Sequence, residues 1–361
     1  MKIRSFEFCA AIFILMQCCL LGFFINGSYR YMGQNCWIVP LIGMIVGFPI
    51  LLIYLYLFNQ NKSINSLIND LFKKSGKIIN MILILFFSLF SMILFWNITN
   101  FTSSQYLYNT PQLYIEIIFI ISFIYVLSHG TNSLFRTLLV LVYVLIIIYI
   151  INFTSLITQV DINNIKPIFY GKFNLFKSLI DYIGFIICPI FILLVIPKNK
   201  IDDANINKKI IITYFVSNIS NFIILFLLIS VFGINLLNLY QYPEYHILKR
   251  VTLFGLGERF EKILAIYWFL VTASGIILTI HYIYKNLNFN KKIIYILIII
   301  SLLCSEFLFS SSTSARYYIG GFFSYIMIVF LVIVPLFIFL KIKKSSKTTW
   351  LNYILNIPIM R

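Results

Sequence analysis

The three histidines, His129, His246 and His281, fall in separate segments with no partner at metal-ligand spacing. The six cysteines (Cys9, Cys18, Cys19, Cys36, Cys188, Cys304) lie in or beside apolar runs without CxxC spacing. They read as small apolar residues, not as ligands or disulfides. Gly255-Leu256-Gly257 lacks the third glycine and the preceding strand of a nucleotide loop. What stands out is charge. The stretch FGLGERFEKILAIYWFL at 254–270 crowds Glu258, Arg259, Glu261 and Lys262 into five positions, in a chain of which only 11% is charged. Glu258 and Lys262 would sit one helical turn apart in the favoured orientation. Just before them, residues 244–254 place Tyr245, Leu248, Val251 and Phe254 on one helical face with His246, Lys249 and Arg250 off it, an amphipathic element suited to an outer surface. Interfacial anchoring and docking of a partner subunit both fit this cluster.

The elements that must carry these residues are set by composition. At 61% hydrophobic the chain is far above a soluble domain and belongs in a membrane. Runs of about twenty apolar residues cross a hydrocarbon core, and ten are readable, near 8–26, 36–58, 78–100, 113–129, 136–157, 178–196, 208–233, 263–284, 291–311 and 322–341. The expected fold is all-α integral membrane, one transmembrane domain over 1–361 with a tail at 342–361. Ten spans put both termini on one side. Assigning that side to the cytoplasm gives it 19 of the 28 lysines and arginines, as the positive-inside rule requires, and makes the loop around Tyr242 to Glu261 external. Basic residues at span ends, facing anionic lipid, account for the net charge of +17 without a nucleic-acid partner. The N-terminal MKIRSFEFCAAIFILMQCCLLGFF has no small-x-small cleavage site after its apolar run and reads as a retained first span.

Enzyme classes find little support. A membrane polymerase or glycosyltransferase needs carboxylates, Arg and His converging in a sizeable external loop, and only 234–262 comes close. No cofactor is implied. Glu116, Asp181, His281 and Glu306 lie near span ends, where snorkelling to the interface explains them. The sixth span, SLIDYIGFIICPIFILLVIP, is interrupted: Pro189 removes a backbone donor and clashes with the carbonyl of Phe185, and Gly184 weakens the helix one turn earlier. Two readings stand side by side, a proline kink held by neighbouring helices and a ligand site between half-helices. The first span has a matching weak place at Gly22, with Asn26 and Gly27 beyond. Interruptions in spans one and six, five apart, are the pattern of a five-plus-five inverted repeat, with repeats at about 8–157 and 178–341.

Four stretches carry a resemblance. They are MGQNCWIVPLIGMIVGF at 32–48, NNIKPIFYGKF at 163–173, IPKNK at 196–200 and YPEYHILKRVTLFGLGERFEKILAIYWFL at 242–270. In order and spacing they resemble the B subunits of spore germinant receptors, the GerAB family of the amino acid/polyamine/organocation (APC) transporter superfamily. Where that family has a Gly-Ser-Gly-like break and a proline in span one, this chain keeps Gly22 and Gly27 and has no proline until Pro40. The resemblance implies a LeuT-like bundle that binds a small nutrient, an amino acid, and signals germination beside an A-type membrane subunit and a C-type lipoprotein in the spore inner membrane; an amino acid permease is the alternative. It puts the ligand at Gly22, Phe23, Gly184, Phe185 and Cys188, with polar help from Asn97 and Thr272. Glu258, Arg259 and Glu261 become the partner-facing cluster.

Overall fold

The computed structural model describes residues 2–170, 173–250, 260–287, 291–309 and 319–345. Among them the chain is helical almost throughout, as lipid demands, because a helix satisfies its own backbone groups. The helices are α1 (Ser5–Cys18), α2 (Ile25–Met32), α3 (Val39–Phe58), α4 (Ile64–Phe72), α5 (Lys74–Gln105), α6 (Gln112–Ser128), α7 (Thr131–Leu156), α8 (Leu175–Tyr182), α9 (Ile206–Leu239), α10 (Pro243–His246), α11 (Phe260–Asn286), α12 (Lys291–Leu308), α13 (Ser324–Ile328) and α14 (Val334–Ser345). One small parallel sheet pairs β1 (Ile3–Arg4) with β2 (Ile201–Asp202), Ile3 opposite Ile201.

By length and apolarity, six segments of the described residues can cross a membrane, where the sequence leads to ten: Ser5–Phe58, Lys74–Gln105, Thr131–Gln159, Leu175–Val195, Ile206–Leu239 and Gly321–Lys344. The first is 54 residues long, about 80 Å at 1.5 Å per residue. It doubles back. Ile3 pairs with Ile201, and Asn59 accepts a hydrogen bond from Lys198 at 2.6 Å, so both ends of the segment meet the same short stretch. The reversal comes at Gly33–Ile38, a tight helical turn entered through Gly33 at φ +57°. Of the other expected spans, 113–129 falls on α6, which is apolar but only 17 residues long, and 263–284 and 291–311 fall on α11 and α12.

The surface follows the lipid. On α5, Ile78, Met81, Leu85 and Leu89 recur every three or four residues and all stand exposed, as do Val140, Tyr143, Ile147 and Ile150 on α7. Such stripes would be a liability in water; against acyl chains they are the matching solvent. Inside, close approach replaces hydrophobic drive. A Cβ at Gly43 would stand 2.2 Å from the ring of Tyr182, and one at Gly47 2.0 Å from Ile187, so α3 meets α8 and the segment after it backbone to side chain. At the end carrying β1 and β2, Lys209 pairs with Asp203 at 2.5 Å and donates to Ser5 at 2.8 Å. Together with the amide of Asn205 it holds the Asp203 carboxyl down at about 2.

Residues near 35 and near 59 lie at the two ends of α3, whose 20 residues span about 30 Å. Phe169 donates its amide to Asn35, which puts 162–170 at the first of these ends. In a cysteine-free background, Tyr170→Cys and Lys62→Cys should therefore react with an impermeant thiol reagent from opposite membrane faces. Labelling of both from one face would contradict the arrangement.

Candidate functional site

Helix α1 stops in the middle of the bundle. Beyond Cys18 the chain widens through Leu20–Phe24, where the amide of Phe24 reaches the carbonyl of Cys19, and resumes as α2. The turn passes through Gly22 at φ +80°, which a side chain resists, and a Cβ there would stand 2.6 Å from Oδ1 of Asn97. The Gly22 amide is turned out of the helix, and it donates to Oε1 of Glu244 at 2.7 Å. Asn26 closes the arrangement: its amide nitrogen donates to the carbonyls of Gly22 and Gln241, each at 3.1 Å, and its Oδ1 accepts from the Tyr29 hydroxyl at 2.7 Å.

Opposite this turn stands the second irregular segment. Helix α8 gives way to a wide turn at Ile183–Ile187 and then to a tight, three-residue-per-turn run at Cys188–Val195. Pro189 is the cause, since it cannot donate to Phe185 and the helix must rearrange around the missing bond. The two segments pack together, with the Phe23 and Phe185 rings stacked at 6.1 Å and Phe24 edge-on to Tyr182 at 5.0 Å. Just below runs a belt of buried polar groups. Gln17 donates to Ser220 at 2.8 Å and Asn221 at 2.7 Å and accepts from Tyr149 at 2.9 Å. Tyr182 donates to Asn218, and Tyr214 donates to the carbonyl of Met44 at 2.8 Å. This ties α1, α3, α7, α8 and α9 at one level.

Four of the expected ligand residues thus meet: Gly22 with Asn97, and Phe23 with Phe185. The other three face elsewhere. Gly184 abuts the final helical segment, with a Cβ position 3.0 Å from the carbonyl of Ser324. Cys188 is buried beside Tyr54 of α3. Thr272 is buried, and its hydroxyl donates to the Trp268 carbonyl of its own helix at 2.9 Å. Glu258 and Arg259 lie outside the described residues, and Glu261 falls in the first turn of α11 with its side chain likewise outside them.

Of the amphipathic element expected at 244–254, residues 251–254 lie outside the described residues; in the described part Glu244, Tyr245 and Ile247 are buried, Glu244 against the Gly22 amide, and Lys249 is exposed. One expectation is corrected: Glu116, Asp181 and His281, near span ends, do not snorkel. Glu116 is buried and accepts from Gln112 at 3.1 Å, and His281 is buried against the Thr131 hydroxyl at 3.1 Å. Asp181, 1% exposed, accepts from Lys177 at 2.9 Å and from Ser324 at 2.6 Å. The side chain of Glu306 is outside the described residues. Lys177 also donates to the Gly321 carbonyl at 3.1 Å and lies 4.2 Å from the Tyr325 ring centre, so one buried ion pair couples α8 to the last segment. The i, i+4 spacing of Lys177 and Asp181 was the available signal for this pair.

Beside the Glu244 contact opens a cavity of about 80 Å³ between α5, α7, α9, α10 and α11. Its walls are aromatic and aliphatic. Among the described residues no group of three histidine, cysteine or acidic side chains could hold a metal ion.

Residues 8–289 match the family model described as spore germination protein, the spore permeases. The chain belongs to that family. A relative in Bacillus subtilis (strain 168), named as spore germination protein YfkT, is 24% identical over 321 residues, covering 87% of this chain and 88% of the relative. The matched region contains both irregular segments, the polar belt and Glu244.

Two stability predictions arise from this geometry. Gly22→Ala should cost about 1–3 kcal/mol through its positive φ, and adding Asn97→Ala should recover part of the loss by removing the clash; thermal unfolding in detergent reads both, and strict additivity would mean the two residues are not in contact. Lys177→Met should destabilise by about 3–5 kcal/mol by stranding a buried carboxylate, while Lys177→Met with Asp181→Leu should recover most of it. Equal loss in the single and double variants would show that the pair is not the cause.

Proposed function

We propose that this chain is the nutrient-sensing membrane subunit of a spore germinant receptor, with the ligand held where the two irregular segments face each other. The observation that carries this reading is the Gly22 amide, turned out of its helix in the interior of a membrane bundle and directed at a side chain from a distant loop. A backbone donor freed in that way is what half-helix ligand sites use. The ligand is a small amino acid lying against Gly22, Phe23, Asn97 and Phe185, with Gly184, Cys188 and Thr272 packed on the neighbouring elements. The irregular segments stand five expected spans apart, which supports an APC-type, LeuT-like five-plus-five inverted repeat of ten spans. Both termini then face the cytoplasm of the spore, and the chain sits in the inner membrane.

Binding is read out as a shift between states that an A-type membrane subunit and a C-type lipoprotein sense, which requires the ligand to favour one state by a free-energy difference. Glu258, Arg259 and Glu261 form the outward cluster that registers those partners; such rim charges act more on steering than on affinity. The membership in a family of spore germination proteins supports the germination role.

Spores carrying Asn97→Leu or Phe23→Ala should accumulate the protein normally and need at least about tenfold more amino acid for half-maximal germination, the effect of losing one buried hydrogen bond or ring contact near a ligand. An unchanged dose response in both would remove the ligand from this place. Co-purification from dormant spores distinguishes receptor from permease: recovery of the chain alone, with energised amino acid uptake in vesicles, would refute the receptor reading.

A further inference from the structure

At the membrane end that carries β1 and β2, a larger cavity of about 610 Å³ opens between the turn joining α6 to α7, the segment 195–200 and the end of α11. Its size is that of a small-molecule site. Lys2, Lys200 and Lys285 line it, and none of its described lining residues is acidic. Other lysines at this end are compensated: Lys209 pairs with Asp203 and Lys62 with Asp70, each at 2.5 Å, and Lys198 donates to Asn59 at 2.6 Å. Lys2 lies 4.0 Å from Asp202. Lys200 and Lys285 form no ion pair among the described residues. Each meets the other's charge instead. Lys285 is exposed just past the expected span 263–284, and partial burial, followed by the Lys200 ammonium, pushes its pKa below the ordinary lysine value. The wall adds a further positive group. Gly130, Thr131 and Asn132 line the cavity, so the amino end of the 26-residue helix α7 stands there with the positive pole of its dipole, and Gly130 at the N-cap has no side chain to cap it.

We propose that this cavity binds a dianionic phosphate group, with Lys200 and Lys285 supplying the two countercharges and the amino end of α7 facing the phosphate oxygens. The charge count sets the valence. Lys2 is already shared with Asp202, which leaves the charges of Lys200 and Lys285 uncompensated. A carboxylate would neutralise one of them; a phosphate monoester neutralises both and offers three acceptor oxygens to groups that converge from separate elements. The site differs from basic span ends in general, since Lys343 and Lys344 on the last turn of α14 are exposed and stand outside the cavity. Bound there, the phosphate replaces repulsion between the 195–200 segment and the end of α11 with a bridge. Helix α1 runs 14 residues, about 21 Å, from this end to Cys18, so the site is separate from the Gly22 turn and does not depend on the nutrient reading. The phosphate comes from a soluble monoester or from the headgroup of a lipid such as phosphatidic acid, and the two sources are separable.

The test uses the full chain in phosphatidylcholine nanodiscs, with the thermal unfolding midpoint as readout at about pH 8, where a phosphate monoester carries close to two charges. Two probes are compared, inorganic phosphate added to the solution and phosphatidic acid replacing part of the phosphatidylcholine. At least one should raise the midpoint saturably, beyond the effect of chloride at equal ionic strength. Lys200→Gln with Lys285→Gln should fold with an equal or higher midpoint when no phosphate is present, because like charges are removed, yet bind the active probe at least about tenfold more weakly, the loss of charge-assisted hydrogen bonds. Lys285→Gln alone should weaken the same probe to a smaller extent. Lys343→Gln with Lys344→Gln removes equal charge away from the cavity and should leave the probe's effect unchanged. A shift by inorganic phosphate that needs Lys200 and Lys285 assigns the site to a soluble phosphate; one by phosphatidic acid, with inorganic phosphate inert, assigns it to a lipid headgroup. Neither probe shifting the unaltered chain, chloride matching phosphate, or the α14 pair losing as much as the cavity pair overturns the proposal.

Discussion

Where α1 stops at Cys18, hydrocarbon offers its freed backbone groups no partner, and much of the surrounding structure is arranged to supply one. The Gly22 amide is met by Glu244, and the Gly22 carbonyl by Asn26. Asn26 also holds the carbonyl of Gln241, so the same asparagine that repairs the helix fastens the segment from which Glu244 comes. Asn97 occupies the space that a Cβ on residue 22 would need. A distant loop and a helix side chain therefore meet the irregular turn at one point, each contacting Gly22. Ordering the loop around Glu244 costs conformational entropy, which the buried carboxylate–amide contact and the packed rings of Phe101, Tyr242 and Tyr245 offset.

The second irregular segment is held differently. The tight run at Cys188–Val195, which follows the bond lost at Pro189, is buried against α1, α3 and α11. Its preceding helix is fixed at two levels, by Lys177 and Asp181 against the last segment and by Tyr182 against Asn218. A buried ion pair adds little net stability over apolar packing, since desolvation consumes most of the attraction. What it enforces is partner choice: α8 can slide from Gly321 and Ser324 only by breaking charge-assisted bonds in a low dielectric. A transition that moves α8 away from the last segment must break this contact first.

Membership in the spore germination protein family and the polar interior are consistent with one another. Gln17, Tyr149, Asn218, Asn221 and Tyr182 form a hydrogen-bonded belt across four elements, with neutral groups only. Amide and hydroxyl side chains can exchange partners at small cost, whereas ionised groups cannot, so a belt of this kind fixes which helices meet and still permits their relative adjustment.

Composition and apolar run length by themselves determined that this is a helical membrane protein, because hydrocarbon sets both the length of a crossing and the requirement for internal hydrogen bonds. The weak places were legible too: Gly22, Gly184 and Pro189 act on their own backbone, and a local cause leaves a local signature. Partners were not legible. Glu244 read only as the start of an amphipathic element, and Asp181 as a snorkelling acid, because the amide of Gly22 lies 222 residues away from the first and Ser324 lies 143 away from the second. Gly184 and Gly22 look alike in sequence, yet one faces Ser324 and the other Asn97. The seating of the loop after Tyr242 and the cavity beside it were decided by the tertiary structure alone, since they depend on which distant group comes within hydrogen-bond distance, and periodicity carries no record of that.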